Sequence, residues 1–107
     1  LQGGAVRIPT PNVSMVDFTF LAARESSIEE INAIMKKAAH DSKKHILQYN
    51  EEALVSIDFN HCPASAIFDA PQTKVLGRLI KVFAWYDNEW GFSNRMLDVA
   101  ACMMKQP

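Results

Sequence analysis

The chain has 107 residues, of which 49% are hydrophobic and 21% are charged, and its formal net charge is −1. This size and composition predict one globular domain with a modest core. The charge argues against a nucleic-acid-binding protein, which needs a surplus of basic residues. No apolar run approaches the ~20 residues of a membrane span. The cysteines Cys62 and Cys102 are too few for a disulfide scaffold and lack metal-site spacing, so we expect a cytoplasmic protein.

The first residues suggest a segment excised from a longer protein, since the chain starts at Leu1 without Met and soon enters Gly-Gly. Pro9 and Pro11 follow, and they predict an extended, rigid crossing because proline fixes φ and lacks a backbone donor. Arg7 stands just before this crossing. It is either an ordinary surface arginine or an anion clamp, for which a guanidinium is well suited.

The middle of the chain alternates between strand and helix patterns. Apolar alternation over 13–22 predicts a long strand with one buried face. Ser27 with Glu30 three residues later forms a capping-box pattern, which predicts an amphipathic helix from Ile28 to about His40. A short apolar piece follows at 46–49, and further strands are predicted at 53–59, 64–69 and 73–76.

The stretch from Leu79 to Arg95 combines three patterns. Residues 79–85 are mostly apolar and predict a largely buried strand. A polar turn follows at 87–91, and a helix is expected over 92–105, starting at about Ser93. One face of this helix is apolar; it comprises Met96, Ala100, Met103 and Met104. Strand-to-helix turns of this kind place ligand-binding groups in α/β proteins.

The order of elements predicts an α+β fold with a mostly antiparallel mixed sheet, one helix between strands and a long C-terminal helix. His40 and His45 lie five residues apart among lysines and are expected to face solvent rather than bind a metal. The sequence contains no Gly-rich phosphate loop, no H-E-x-x-H and no C-x-x-C. These patterns therefore do not indicate a self-sufficient active site.

Several motifs together resemble the phosphorylating glyceraldehyde-3-phosphate dehydrogenases. Residues 7–17, R-I-P-T-P-N-V-S-M-V-D, closely resemble a block of that family. Residues 58–60 (D-F-N) and 65–69 (S-A-I-F-D) are similar to two shorter family segments, and residues 85–95, W-Y-D-N-E-W-G-F-S-N-R, to a fourth. The matches occur in one order and span the whole chain.

The resemblance implies roles for three residues. Arg7 matches the arginine that helps hold the substrate phosphate. Asn88 matches the asparagine that bonds the nicotinamide carboxamide of NAD, and Phe92 matches an aromatic position near the nicotinamide. The family's nucleophilic cysteine motif and its histidine base are not found here. The resemblance therefore assigns no catalytic residue, and neither Cys62 nor Cys102 matches the nucleophile.

The resemblance also implies that residues 1–107 are part of the C-terminal catalytic domain of a longer, usually tetrameric, cytoplasmic enzyme of glycolysis. That enzyme oxidises glyceraldehyde-3-phosphate with NAD and inorganic phosphate through a cysteine thioester. The helix at 92–105 would pack on the nucleotide-binding half. This segment alone is expected to be inactive and, with that helix face uncovered, to self-associate. No nucleic acid or membrane partner is expected.

Two alternatives remain open. The first is a segment of the related erythrose-4-phosphate dehydrogenases, which share much of the sequence at 87–98. Tyr86 and the P-T-P-N motif favour the glyceraldehyde-3-phosphate branch. The second is a non-catalytic interaction module. Upstream sequence encoding a thiol nucleophile and a nucleotide-binding turn would exclude the module.

Overall fold

A computed structural model describes residues 2–105, which form two α-helices and one five-stranded sheet. The strands are β1 (Ser14–Leu21), β2 (Leu47–Asn50), β3 (Ala66–Asp69), β4 (Lys74–Leu76) and β5 (Leu79–Tyr86). The helices are α1 (Ile28–His40) and α2 (Trp90–Met104). Short 3₁₀ turns occupy Ser56–Phe59 and Ala70–Gln72.

The sheet has the strand order β1-β5-β3-β2, and β4 also pairs with β5. β1, β3 and β4 each run antiparallel to β5, whereas β2 runs parallel to β3. β1 and β5 pair along their whole length, from Ser14 opposite Tyr86 to Leu21 opposite Leu79. The predicted α+β fold with a mostly antiparallel mixed sheet is confirmed.

The sheet is less covered than the apolar patterns predicted. In β5 only Ile80 is buried, Leu79 is exposed, and the other residues are half-buried. The prediction of one buried face for β1 is wrong, because Val16 and Phe18 on the expected apolar face are 46% and 41% exposed. Among the described residues no layer covers this face, since α1 lies over β2, where Lys36 Nζ is 5.5 Å from the centre of the Tyr49 ring.

The predicted start of α1 is confirmed, with a change in its capping. The Ser27 hydroxyl accepts a hydrogen bond from the Glu30 backbone N–H at 3.1 Å, as expected of an N-cap. The Glu30 carboxylate does not complete the box; it binds the Ser26 hydroxyl and the Arg24 guanidinium instead. These contacts, with that of Arg24 first, lower the pKa of Glu30 to about 2.

The strand predicted at 53–59 is wrong. The Asp58 carboxylate accepts a hydrogen bond from the Val55 N–H at 2.8 Å, and the Asp58 N–H donates to the Val55 carbonyl at 3.0 Å. These two bonds close a turn, and Ser56–Phe59 forms a 3₁₀ turn. A local side-chain contact of this kind competes with strand pairing and outweighs the β-propensity of Val55 and Ile57.

The core is small and lies where the 3₁₀ turn packs on the sheet. Val13, Phe59 and Ile67 are buried, and the Phe59 ring stacks on Trp85 with centroids 5.6 Å apart. Leu54 and Cys62 pack against this group. The packing links the residue before β1 to the strands β3 and β5.

Candidate functional site

The Asp87 carboxylate, directly after β5, is the centre of a polar cluster with four hydrogen bonds. The residue is only 3% exposed. One oxygen accepts the N–H groups of Glu89 and Trp90 at 3.0 and 2.8 Å, at the start of α2. The other oxygen accepts the His61 N–H at 2.9 Å and the Asn12 side-chain amide at 2.7 Å. One side chain thus connects the arm before β1, the loop after Phe59 and α2.

These contacts also determine the protonation of Asp87. Burial by itself raises the pKa of a carboxyl. The N–H donors of Trp90, His61 and Glu89, with the amide of Asn12, outweigh burial and lower the pKa to about 2. Asp87 is therefore a carboxylate at neutral pH, and its role here is to accept hydrogen bonds.

The same contacts explain where α2 begins. The helix starts at Trp90, three residues before the predicted start at Ser93, because Asp87 caps its first amides. The backbone of α2 then approaches the loop before β3 closely: a Cβ at Gly91 would lie 2.6 Å from the Ala64 carbonyl oxygen.

Arg95 supplies a second attachment of α2 to the body of the chain. Its guanidinium donates to the carbonyls of His45 and Pro63 at 3.0 and 3.3 Å, and to the Ser65 hydroxyl at 3.3 Å. It also pairs with Asp98 in the helix at 2.7 Å. No contact of this kind was predicted for Arg95 from the sequence.

Asn88, a predicted cofactor-binding residue, lies in the turn directly after Asp87 and is exposed. Its amide nitrogen donates to the hydroxyl of Ser14, the first residue of β1, at 2.7 Å. Within residues 2–105 the amide has no other partner, so its second N–H and its oxygen can bind a ligand of matching character, such as another carboxamide.

Phe92, the second predicted cofactor-binding residue, lies in the first turn of α2 and is 67% exposed. Phe92 is the first residue of an apolar stripe along the helix. The stripe also includes Met96, Val99, Ala100 and Met103. Phe92 and Asn88 are thus at the same end of α2. An exposed amide and an exposed aromatic ring fit the carboxamide and the ring of a nicotinamide, so the residues present are compatible with that end of NAD.

Arg7, the predicted phosphate-binding residue, lies on the arm before β1 and is exposed. Within residues 2–105 it forms no hydrogen bond or ion pair, and in particular none with Asn88 or Phe92. The structure therefore places Asn88 and Phe92 at one end of α2 and does not bring Arg7 to them. The arm is attached to their turn by Asn12, whose amide also donates to the Asn60 side chain at 2.7 Å.

Val13, between Asn12 and Ser14, has an unusual backbone conformation. Its φ is +69°, in the left-handed region, and its side chain is 3% exposed in the core. A β-branched residue rarely adopts this conformation, which costs roughly 1–2 kcal/mol. The neighbours of Val13 on both sides, Asn12 and Ser14, bind the turn that contains Asp87 and Asn88.

No role was predicted for Asn12 or Ser14 from the sequence, and Asp87 was predicted only as a turn residue. A local signal existed for Asp87, since an Asp shortly before the start of a helical pattern is a candidate for capping the helix N-terminus. No local signal indicates the contacts of Asn12 and Ser14, because these join residues 75 and 74 positions apart.

The remaining candidate residues have simple surroundings. Cys62 is half-buried with its thiol 3.4 Å from the Gln48 side-chain oxygen, and Cys102 is exposed on α2. His40 and His45 are exposed, as predicted. Across residues 2–105 no three or more His, Cys, Asp or Glu side chains are grouped to hold a metal. Neither helix in this range is long and apolar enough to cross a membrane.

Comparison with known proteins gives close relatives. The family model "Glyceraldehyde 3-phosphate dehydrogenase, C-terminal domain" matches residues 1–88. The chain is 62% identical over 103 residues to the chromosomal glyceraldehyde-3-phosphate dehydrogenase of Cupriavidus necator, which is 96% of this chain and 31% of that protein. It is 56% identical over 103 residues, covering 96% and 30%, to the glyceraldehyde-3-phosphate dehydrogenase of Pseudomonas aeruginosa.

The match is thus nearly complete for this chain and partial for its relatives, of whose length it spans about 31%. The matched family region, residues 1–88, contains the arm, the whole sheet and the Asp87–Asn88 turn. The chain belongs to the family of glyceraldehyde 3-phosphate dehydrogenase C-terminal domains.

Proposed function

We propose that this chain is the C-terminal segment of an NAD-dependent, phosphorylating glyceraldehyde-3-phosphate dehydrogenase of glycolysis. The observation that supports this most is the 62% identity over 103 residues to the Cupriavidus necator enzyme. In the whole protein the cofactor supplies the hydride acceptor. The segment supplies orientation and anion binding rather than a reacting group.

Asn88 and Phe92 are the residues proposed to hold the nicotinamide end of NAD. The Asn88 amide offers a donor and an acceptor, which is what a carboxamide requires. The Phe92 ring is exposed in the first turn of α2, four residues after Asn88. Phe92 has no hydroxyl, so its contribution is packing against the ring.

Arg7 is proposed to bind the phosphate of the substrate. Its position on an exposed arm bounded by Pro9 leaves the guanidinium available for a bidentate contact with an anion. The arm has a defined attachment, because Asn12 holds it to Asp87.

We propose that α2 packs on the nucleotide-binding half of the whole protein and that the isolated segment is inactive. α2 exposes an apolar stripe from Phe92 to Met103. Within residues 2–105 the Cys62 thiol contacts the Gln48 side chain and the Cys102 thiol has no hydrogen bond, whereas an activated nucleophile needs a nearby base or positive charge. In the whole protein, the reactive thiol would come from the other part of the chain.

A chimera tests these assignments. The matching 103-residue segment of the Cupriavidus necator enzyme is replaced by the segment from this chain, and NADH formation from glyceraldehyde-3-phosphate, NAD and phosphate is measured. We expect the chimera to be active, the 107-residue chain alone to be inactive, and Cys62→Ser to leave the activity of the chimera unchanged. Assaying erythrose-4-phosphate in parallel separates the two aldehyde substrates by kcat/KM.

Two substitutions test the binding roles within the chimera. Arg7→Ala should raise the KM for glyceraldehyde-3-phosphate about 10-fold or more, since it removes a charged hydrogen bond. Asn88→Ala should raise the KM for NAD about 3- to 10-fold. Arg24→Ala is the matched control, because Arg24 pairs with Glu30 on the surface. A folded but inactive chimera, or activity in the isolated chain that Cys62→Ser abolishes, contradicts the proposal.

A further inference from the structure

We infer that Ser14 is a positioning residue that holds the Asn88 amide in place for the nicotinamide. The inference rests on the proposed function, since it assigns to Ser14 an effect that acts through Asn88. Its basis is the hydrogen bond from the Asn88 amide nitrogen to the Ser14 hydroxyl, with the two atoms 2.7 Å apart.

The hydrogen bond to Ser14 restricts the rotation of the Asn88 side chain. The residue is exposed in the turn between β5 and α2, where an amide side chain can otherwise rotate freely. With one N–H engaged by Ser14, the second N–H and the carbonyl oxygen have defined directions. A ligand that binds both groups then meets a pre-oriented partner, so less conformational entropy is lost on binding.

Ser14 is itself held firmly from both sides. It is the first residue of β1 and pairs with Tyr86 of β5 in the sheet register. On its other side the strained Val13, with φ of +69°, is buried in the core. Backbone strain of this kind persists only where surrounding packing over-determines the conformation.

The turn that bears Asn88 is held independently of Ser14. Its preceding residue, Asp87, accepts the Asn12 amide at 2.7 Å and the first amides of α2. The backbone of the turn therefore does not depend on the Ser14 hydroxyl. Removing that hydroxyl should free the Asn88 side chain while the turn keeps its place.

A pair of isosteric substitutions in the chimera tests this role. Ser14→Val and Ser14→Thr have the same shape and both suit a strand, and they differ only in the hydroxyl. We expect Ser14→Val to raise the KM for NAD about 3- to 10-fold, the loss of one hydrogen bond's contribution. Ser14→Thr should stay close to the unsubstituted chimera. The kcat and the KM for glyceraldehyde-3-phosphate should change little in either variant.

A double-mutant cycle shows whether the effect acts through Asn88. Adding Ser14→Val to Asn88→Ala should raise the KM for NAD no further than Asn88→Ala alone. Ser93→Ala is the control, since its hydroxyl bonds the Glu89 carbonyl at 3.0 Å in the same helical turn and does not contact Asn88.

The outcomes separate the inference from the proposed function. If Asn88→Ala raises the KM for NAD and Ser14→Val does not, or if the two effects add in full, the positioning role is wrong while the cofactor site stands. If Asn88→Ala has no effect on the KM for NAD, the assignment of Asn88 itself is wrong, and the role of Ser14 is overturned with it.

Discussion

The Asp87 side chain holds together the arm before β1, the loop after Phe59 and the start of α2. Its carboxylate is 3% exposed and accepts four hydrogen bonds, from Asn12, His61, Glu89 and Trp90. An unpaired buried charge would cost several kcal/mol, so the donors must remain in place while Asp87 is ionised. The arm, the loop and the start of α2 are therefore mutually dependent.

Substitution of Asp87 should have a pH-dependent effect on stability. Its pKa is lowered from 3.8 to about 2 in the folded chain. A lowered folded-state pKa stabilises the protein fully above the unfolded value, and this contribution is lost as pH falls through the folded value. We expect Asp87→Asn to lower the free energy of unfolding by about 2 kcal/mol at pH 6, and the difference from wild type to shrink between about pH 4 and 2.

Urea unfolding followed by circular dichroism at several pH values measures this difference. Asp17→Asn is the control, since Asp17 and its ion-pair partner Lys81 are 45% and 40% exposed on the sheet. Exposed pairs contribute little, so this control should change stability by less than about 1 kcal/mol. A difference for Asp87→Asn that stays constant down to pH 2 would contradict the assigned role.

At the scale of elements, α2 is attached at one end and exposed along the rest. Gly91 lies against the Ala64 backbone, and Arg95 reaches the carbonyls of His45 and Pro63. Beyond these contacts the helix is exposed, including Met96 at 58% and other large apolar side chains: Leu97, Val99, Met103 and Met104. The direction of α2 is thus determined by its first two turns.

Gly91→Ala should move or destabilise α2 even though alanine favours helices. An added Cβ would lie 2.6 Å from the Ala64 carbonyl oxygen, which is backbone and cannot rotate away. We expect a loss of about 1–3 kcal/mol of stability, as for other overpacking substitutions, and this exceeds the propensity gain of about 1 kcal/mol.

Thermal unfolding provides the measurement, and Gly4→Ala is the matched control because a Cβ at Gly4 has no neighbour within 4 Å. A Tm for Gly91→Ala equal to or above that of wild type would show that the Ala64 contact does not hold the helix.

At the scale of the whole molecule, the chain buries little of its apolar surface. The radius of gyration is 15.3 Å, compared with about 13 Å expected for a compact domain of this length. Both sides of β1 and the apolar stripe of α2 remain exposed within the described residues. Surfaces of this kind commonly contact another chain or another part of the same chain.

The isolated chain should therefore self-associate. We expect light scattering to show a mass that rises with concentration, and Met96→Glu with Met103→Glu to shift the chain toward the monomer, because both side chains lie on the α2 stripe. Leu76→Glu is the control, as it is 78% exposed on β4, away from that stripe. A monomer at all concentrations would contradict the expectation.

The sequence by itself determined the elements whose signals are local. The Ser27 cap and the helical period predicted α1, the alternation at 13–22 predicted β1, and the order of elements predicted the fold class. The motif at 85–95 singled out Asn88, because a long ordered set of residue types is specific even without coordinates. Burial was overestimated, since an apolar pattern shows which face can be covered and not whether anything covers it.

Only the tertiary structure decided the contacts between distant segments. One local contact was also missed from the sequence: the Asp58 side chain bonds the Val55 N–H and forms a turn where a strand was predicted. The bonds of Asn12 to Asp87 and of Ser14 to Asn88 join segments 75 and 74 residues apart in the sequence. They exist because β1 and β5 pair in an antiparallel register that brings the start of β1 next to the end of β5. Sheet pairing of this kind is a property of the folded whole.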